Sequence, residues 1–403
     1  MTLEEKIDKA GIPLFLRSFS AIDSYLNRNP PAGVYAVCRA GLADLACLFE
    51  DIKYPGAVFA DASVEIDGKT WYFRCEDSDE TFICTKNSGH NNCSFDFLEF
   101  FQDCRTGCYY DPNGIYPVLR RIKKNGFEDK LSVSLKEINW NNDPPKNKKS
   151  PYRDLFDLSM ILAKYFPETK ANEINTIAAS FTSLNSSAKP GTEEQRLLLT
   201  ELLNVPNPCA GFELLKECGF LANCWPEIAA LNDADHSKEF HPEGNVWKHT
   251  MESLRYRKTG GRKTGFDLRL SLGLLLHDCG KPLSQTDGSR RFFAHAELGE
   301  VQARRFLSWL GFDISIINDA CYLVRNHMLP AALPRLSLSR TGEIIKSPLF
   351  PMLLELYRCD ESSTFKGLDG YYKSSAAYQA YLKNRKNPYR SADGKKLKRA
   401  EIK

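Results

Sequence analysis

Six of the seven histidines in this chain fall between positions 236 and 327, and one of them opens a His-Asp pair. The local strings are Asn245-Val246-Trp247-Lys248-His249-Thr250, Leu276-His277-Asp278-Cys279-Gly280-Lys281-Pro282, Ala294-His295-Ala296-Glu297 and Arg325-Asn326-His327-Met328, and Asp360 stands 33 residues further on. Each belongs to its own stretch of helical periodicity. Trp247, Met251 and Leu254 make an apolar i, i+4, i+7 stripe that sets His249 at the edge of a buried face. Leu268, Leu272, Leu275, Leu276 and Cys279 make another, closed by the helix stop Gly280-Lys281-Pro282, so His277 and Asp278 fall in a last turn. His295 enters a helix, His327 ends the pattern Ile317, Cys321, Val324, and Asp360 follows Leu353, Leu354, Leu356 and Tyr357. A shared cation would require five helices or helix ends to converge on one cavity.

Histidine is the commonest metal ligand, and carboxylates beside it suit a hard or borderline divalent cation. Adjacent helical residues point about 100° apart. His277 and Asp278 therefore grip one ion only if it lies off the helix end, or the two oxygens of Asp278 bridge two ions. A lone histidine on a helix is more often an ordinary core or surface residue, and it is the clustering that changes the balance. His236 reads as a surface-loop residue. His241, in His241-Pro242-Glu243-Gly244, is either substrate-facing or part of a helix start, and Glu243 and Lys281 are either salt-bridge or phosphate-site residues.

The remaining chain bounds the setting. Its 403 residues allow two or three domains, and 42% apolar with 26% charged residues is ordinary for a soluble globular protein. The net charge of +3 excludes a whole-molecule polyelectrolyte binder, but residues 381–403 hold nine Lys or Arg against Asp393 and Glu401. That tail is a solvated terminus or a hold on RNA phosphates. The 13 cysteines are scattered without a Cys-x-x-Cys, which reads as reduced core thiols. No run of 18 apolar residues occurs and Met1–Ala10 is charged, so a cytoplasmic protein without membrane or DNA partners is expected.

Strand-like runs at Val34–Val37, Val58–Ile66, Trp71–Phe73, Thr81–Cys84 and Ser94–Phe101, with a hairpin cue at Asp67-Gly68, make residues 1–140 mixed α/β. Residues 141–151 read as a linker with three prolines, and helical periodicity begins at Tyr152 with Leu155, Leu158, Ile161 and Leu162. The expected fold class is α+β: a small mixed α/β head, a mostly helical neck over 152–235, an all-α domain over 236–380, and a basic tail.

The order His249 … His277-Asp278 … Asp360, with His295 and His327 between, resembles the HD-domain metal-dependent phosphohydrolases, the two extra histidines matching their two-metal members. His241–Thr250 and Leu276–Pro282 are more narrowly similar to the HD domain attached to bacterial tRNA nucleotidyltransferases, the CCA-adding and poly(A) polymerase family. Pro206-Asn207-Pro208-Cys209-Ala210-Gly211-Phe212 and Trp225-Pro226-Glu227 resemble that family's passage from neck to HD domain, so the likeness covers roughly residues 190–330. The first third departs from it. Val34–Asp44 lacks the Gly-Gly, no Asp-x-Asp follows, and the neck's Glu-Asp-x-x-Arg is missing. Paired carboxylates hold the ions of nucleotidyl transfer, so the head reads as degenerate and inactive. Val64–Lys69 and Asp103–Gly107 with Asp111-Pro112 still echo the family.

The resemblance implies metal-assisted hydrolysis of a phosphoester. His249, His277, Asp278 and Asp360 would hold one ion, and His295 and His327, with Asp278 bridging, a second. His277, Asp278 and Lys281 would carry the chemistry, and His241, Glu243 and Lys281 would face substrate. The cation would be Mn²⁺, Ni²⁺ or Fe rather than Mg²⁺. The substrate would be a phosphomonoester or cyclic phosphodiester of a nucleotide or RNA end. The alternatives are a tRNA nucleotidyltransferase with an accessory hydrolase, and an inactive RNA-binding relative that uses the neck and basic tail.

Overall fold

The computed structural model describes residues 2–25, 33–54, 60–75, 100–110, 151–179, 181, 189–234, 244–258, 266–284, 294–336, 338–364, 367–387, 389–391 and 394–396. The chain divides into two compact units: Met1–Ile161 with Asn175–Ser187 and Thr259–Gly265, and Leu162–Ile174 with Ala188–Lys258 and Phe266–Lys403.

The first unit runs α1 (Leu3–Lys9), β1 (Leu14–Arg17), α2 (Ser18–Tyr25), β2 (Gly33–Cys38), α3 (Leu42–Leu48), β3 (Ala62–Ile66), β4 (Lys69–Cys75), β5 (Phe101–Asp103), β6 (Tyr109–Tyr110), α4 (Pro151–Tyr165) and, beginning before its second segment, α5 (Ala171–Ala178). The six strands form one sheet in the order β3-β4-β2-β1-β5-β6, parallel at β2 and β4 and antiparallel elsewhere. Alternate residues of a strand face opposite sides. Accordingly Val34, Ala36 and Cys38 pack with Leu3, Ile7 and Trp71, while Val37 packs with Phe15 and Phe101.

The Asp67-Gly68 cue is a two-residue hairpin turn. Both residues have positive φ, 51° and 74°, and Ile66 faces Lys69 across it. Val34–Val37 and Trp71–Phe73 lie inside β2 and β4; of the run Val58–Ile66, positions 58 and 59 lie outside the described residues and Ala62–Ile66 forms β3. Thr81–Cys84 and positions 94–99 lie outside the described residues. Strand β1 was not legible, because its four residues are too few to show alternation. Pro151, read as the end of a linker, instead starts α4, where its missing N–H is harmless. The stripe Leu155, Leu158, Ile161, Leu162 on α4 is wholly buried.

The second unit is helical: α6 (Thr192–Leu203), α7 (Cys209–Glu217), α8 (Phe220–Cys224), α9 (Pro226–Ala229), α10 (Val246–Arg255), α11 (Leu268–Leu276), α12 (His295–Trp309), α13 (Ile314–Asn326), α14 (Leu329–Ala332), α15 (Leu338–Lys346), α16 (Phe350–Ser362) and α17 (Asp369–Arg385). An α+β chain, with a small mixed sheet and a helical remainder, is what the sequence predicted. The first residues of the basic tail, through Arg385, are the end of α17.

Helix α11 organises this unit. Leu270 through Leu276 are all buried, so it is apolar on every side and must be enclosed. It packs against α6, α10, α13 and α16. Gly273 permits the close approach, since a Cβ there would sit 2.8 Å from Leu323 Cδ1. Asp267 caps its start by accepting from the Arg269 amide. Arg257 is buried beside it, with no carboxylate partner among the described residues. It donates instead to the carbonyls of Leu203, Val205 and Leu254 and to Ser271 Oγ, and stacks on Phe266. A buried guanidinium thereby satisfies the carbonyl ends of α6 and α10.

Candidate metal centre

Every side chain of the expected ligand set arrives from a helix or its end. His249 lies within α10, His277 is the C-cap of α11 with Asp278 next, His295 opens α12, His327 is the C-cap of α13, and Asp360 lies in α16. Their polar atoms meet in two groups, His249–His277–Asp360 and Asp278–His295–His327, each with its ligand atoms within 4.8 Å of one another. The histidines are buried, from 1% exposed at His249 to 8% at His295, and Asp278 is 2% exposed. Asp360 reaches towards solvent, with its side chain 22% exposed.

Asp278 stands between the groups. Its Oδ2 lies 3.2 Å from His277 Nε2 and 4.0 Å from His249 Nε2. Its Oδ1 lies 3.7 Å from His295 Nε2 and 3.8 Å from His327 Nε2. One carboxylate thus offers an oxygen to each group. Of the two arrangements left open by the sequence, this is the geometry that a bridge between two ions would use.

The ring orientations are fixed from behind. His277 Nδ1 meets the Leu274 carbonyl at 2.8 Å and His327 Nδ1 meets the Val324 carbonyl at 2.7 Å. Those carbonyls lie three residues earlier, among the unsatisfied acceptors of a helix C-terminus. They require an N–H on Nδ1 and turn Nε2 inward, where it could present a lone pair to a cation. His249 Nδ1 lies 3.0 Å from Ser363 Oγ, whose own proton goes to the Asp360 carbonyl at 2.6 Å. The serine is then an acceptor for His249, and His249 Nε2 again faces inward.

That arrangement crowds polar atoms into the interior. His249 Nε2 is 2.9 Å from Asp360 Oδ1, His295 Nε2 is 3.1 Å from His327 Nε2, and His277 Nε2 is buried without a hydrogen-bond partner among the described residues. A buried acceptor without a partner is costly, and protons or cations between these atoms relieve it. The donor set of four imidazoles and two carboxylates suits a divalent transition ion.

Electrostatics point the same way. Burial alone would raise the Asp278 pKa, but His277 and the Lys281 ammonium, with Nζ 2.5 Å from Oδ2, hold it well below the usual carboxylate range. Asp360 is likewise lowered against burial by His249 and His277. His327 is pushed down to about 3 by burial and by neighbouring His277, so it stays neutral and able to ligate.

The centre opens into a cavity of about 840 Å³, lined on other sides by Met328, Ala331, Pro334, Arg335, Glu361 and Lys373. Of the expected site residues, His249, His277, Asp278, Lys281, His295, His327 and Asp360 come together. His241 and Glu243, expected to face substrate, and His236 lie outside the described residues. The sequence reading missed Ser363, which lies 114 positions from its partner His249 and carries no local signal. It also missed the Leu274 and Val324 carbonyls, which the i−3 spacing from each C-cap histidine could have disclosed.

Residues 246–350 match the HD domain family model. The chain is 30% identical over 190 residues to the CC-adding tRNA nucleotidyltransferase of Thermus thermophilus, covering 46% of this chain and 43% of that one. It is 32% identical over 123 residues to the multifunctional CCA protein of Halorhodospira halophila, 30% of this chain and 29% of that one. The chain therefore spans less than half the length of these relatives. A solved complex of a CCA-adding enzyme with ATP superposes with a TM-score of 0.40 at 12% identity, over 95% of this chain and 82% of that one. The sequence matches carry the relationship. This chain thus carries an HD domain over residues 246–350, of the type found among proteins of the bacterial tRNA nucleotidyltransferase family.

Proposed function

We propose that the second unit is a metal-dependent phosphohydrolase acting on phosphomonoesters or cyclic phosphodiesters of nucleotides or RNA ends. The observation that carries this reading is the Asp278 carboxylate, which has one oxygen facing each histidine group. When bound, one or two divalent ions, Mn²⁺, Ni²⁺ or Fe rather than Mg²⁺, supply Lewis-acid stabilisation of phosphoryl charge and acidify water at the site. The chain's own part is to fix that geometry. His277 and His327 are held by carbonyls, His249 by Ser363, and Asp278 stays ionised. Lys281 is 12% exposed at the cavity wall, where an ammonium holds a phosphoryl oxygen as a point charge.

The test is metal content by mass spectrometry, beside a hydrolysis screen of cyclic and mononucleotide phosphates with Mn²⁺ or Ni²⁺. Wild type is compared with His277→Ala/Asp278→Ala. One or two ions per chain, and hydrolysis lost in the double variant, are expected. Hydrolysis that survives the double variant overturns the assignment.

A second reading comes from the printed names of the relatives, tRNA nucleotidyltransferases. It predicts CTP or ATP incorporation onto a truncated tRNA. Against it, no described strand of the sheet carries two carboxylates: Glu65 is alone on β3 and Asp103 alone on β5. Nucleotidyl transfer needs such a pair to hold its ions, so the head is taken as inactive. RNA contact through the neck and basic tail would remain compatible with either reading.

A further inference from the structure

We propose that Arg335 and Lys373 form a second phosphate subsite in the cavity, so that the preferred substrate is the end of an oligonucleotide rather than a mononucleotide. This rests on the phosphohydrolase reading for the reacting phosphate, but the subsite is read from residues outside the metal centre. Both cations line the same cavity as the histidines. Arg335 ends the turn after α14, and Lys373 lies in the second turn of α17.

Neither takes part in an ion pair or hydrogen bond among the described residues. The nearby carboxylate, Glu361, is already engaged: its Oε1 accepts from the Tyr357 hydroxyl and its Oε2 from the Tyr371 amide, both in the cavity wall or next to it. Glu361 therefore ties α16 to the start of α17 and leaves the two cations facing the opening.

Charge supports a polyanionic occupant. The described lining holds Lys281, Arg335 and Lys373 against Asp278, Asp360 and Glu361, which balance to zero before any divalent ion is added. Two ions bring four positive charges, and a terminal phosphate carries at most about two negative ones. The excess favours a second phosphate. The same lining includes an apolar part, Met328, Ala331 and Pro334, and Met328 is 53% exposed. A nucleoside laid on that wall would join a phosphate at the ions to a phosphodiester at Arg335 and Lys373. A volume of about 840 Å³ accommodates more than a single small ligand requires.

The experiment uses the full chain loaded with Mn²⁺. The probes are a 5′-fluorescein tetra-adenylate RNA ending in a 3′-phosphate, adenosine 3′-monophosphate and ATP. Arg335→Ala/Lys373→Ala is compared with wild type and with Lys258→Ala/Arg305→Ala, a charge-matched change of two exposed residues that do not line the cavity. Fluorescence anisotropy reads binding and phosphate release reads turnover.

The expected result is a loss of roughly 10- to 100-fold in tetranucleotide affinity and kcat/KM. Adenosine 3′-monophosphate stays within about twofold and the control pair is unchanged. An equal loss on both substrates, no loss on either, an equal loss in the control pair, or a preference for ATP over the tetranucleotide overturns the subsite. Binding that depends on Arg335 and Lys373 without any phosphate release upholds the subsite and counts against hydrolysis alone.

Discussion

Replacing Gly280 by alanine puts a methyl group where the fold has left no room. Gly280 has ordinary right-handed helical dihedrals, φ −84° and ψ −12°, so its backbone does not demand glycine. Space does. A Cβ built there lies 2.0 Å from the His295 carbonyl oxygen and 2.5 Å from the Gly299 amide nitrogen. Both are backbone atoms of α12 and cannot rotate aside. Restoring even a tight contact moves the start of α12 or the His277–Gly280 turn by about 1 Å, in an interior packed too closely to absorb it.

His295 begins α12 and Asp278 sits in that turn, so the move opens the 3.7 Å approach of Asp278 Oδ1 to His295 Nε2. Metal–ligand distances tolerate only about 0.2 Å. The expected outcome is a loss of about 10- to 100-fold in affinity for the ion held by His295, His327 and Asp278. Stability falls by about 1–3 kcal/mol, or roughly 2–4 °C in Tm per kcal/mol. Titration calorimetry with Mn²⁺ and a thermal melt of the metal-free chain read the two effects. Gly342→Ala is the matched control. Gly342 lies within α15 with nothing within 4 Å of its built Cβ, so alanine there stabilises by about 0.5–1 kcal/mol. A Gly280→Ala chain with unchanged Mn²⁺ binding and melting refutes the packing argument.

Ser363→Ala removes the acceptor behind His249 and lowers metal affinity by about tenfold or more while leaving the fold intact, as calorimetry and circular dichroism will report. Arg257→Lys strands the Leu203, Val205 and Leu254 carbonyls and destabilises the helical unit by about 3 kcal/mol, measured as a lowered urea midpoint. Asp267 has a lowered pKa: burial opposes it, but hydrogen bonding and the charge of Arg269 prevail. Its contribution is present above the unfolded value near about 4 and is lost as pH falls through the folded value. Asp267→Ala therefore costs about 1–2 kcal/mol at pH 7 and less at pH 3, and equal losses at the two pH values would contradict the assignment.

The centre was legible because each ligand closes or occupies a helix whose apolar period is strong. Leu268 to Leu276 announces a buried helix, and whatever follows its last turn must emerge at the interior. The pairing of ligands was less legible. Whether Asp278 shares an ion with His277 or bridges depends on how the turn after α11, α12 and α13 pack together, and that packing turns on Gly280 against Gly299 and on Gly299 against Val324 of α13. The cavity's other wall was invisible for a similar reason. Arg335 and Lys373 look like ordinary surface cations in sequence, and only the folding of α17 back onto the turn after α14 brings them to the same opening. In the sheet, hairpin chemistry at Asp67-Gly68 was readable from two residues, whereas β1 gains its structure from β2 and β5, which are distant in sequence.

The single carboxylate between the two histidine groups has a thermodynamic consequence. Two cations, if both were served by one Asp278, would not bind as independent guests. The first fixes the carboxylate's rotamer, and so removes an ordering cost for the second, while it also draws off part of the same negative charge. Whichever of these dominates, linkage makes the effect reciprocal. Occupation of the His249 side would change affinity on the His295 side by some factor, and occupation of the His295 side would change affinity on the His249 side by the same factor. The Mn²⁺ isotherm of this chain should therefore be cooperative or anticooperative, and a simple sum of two independent sites should not describe it.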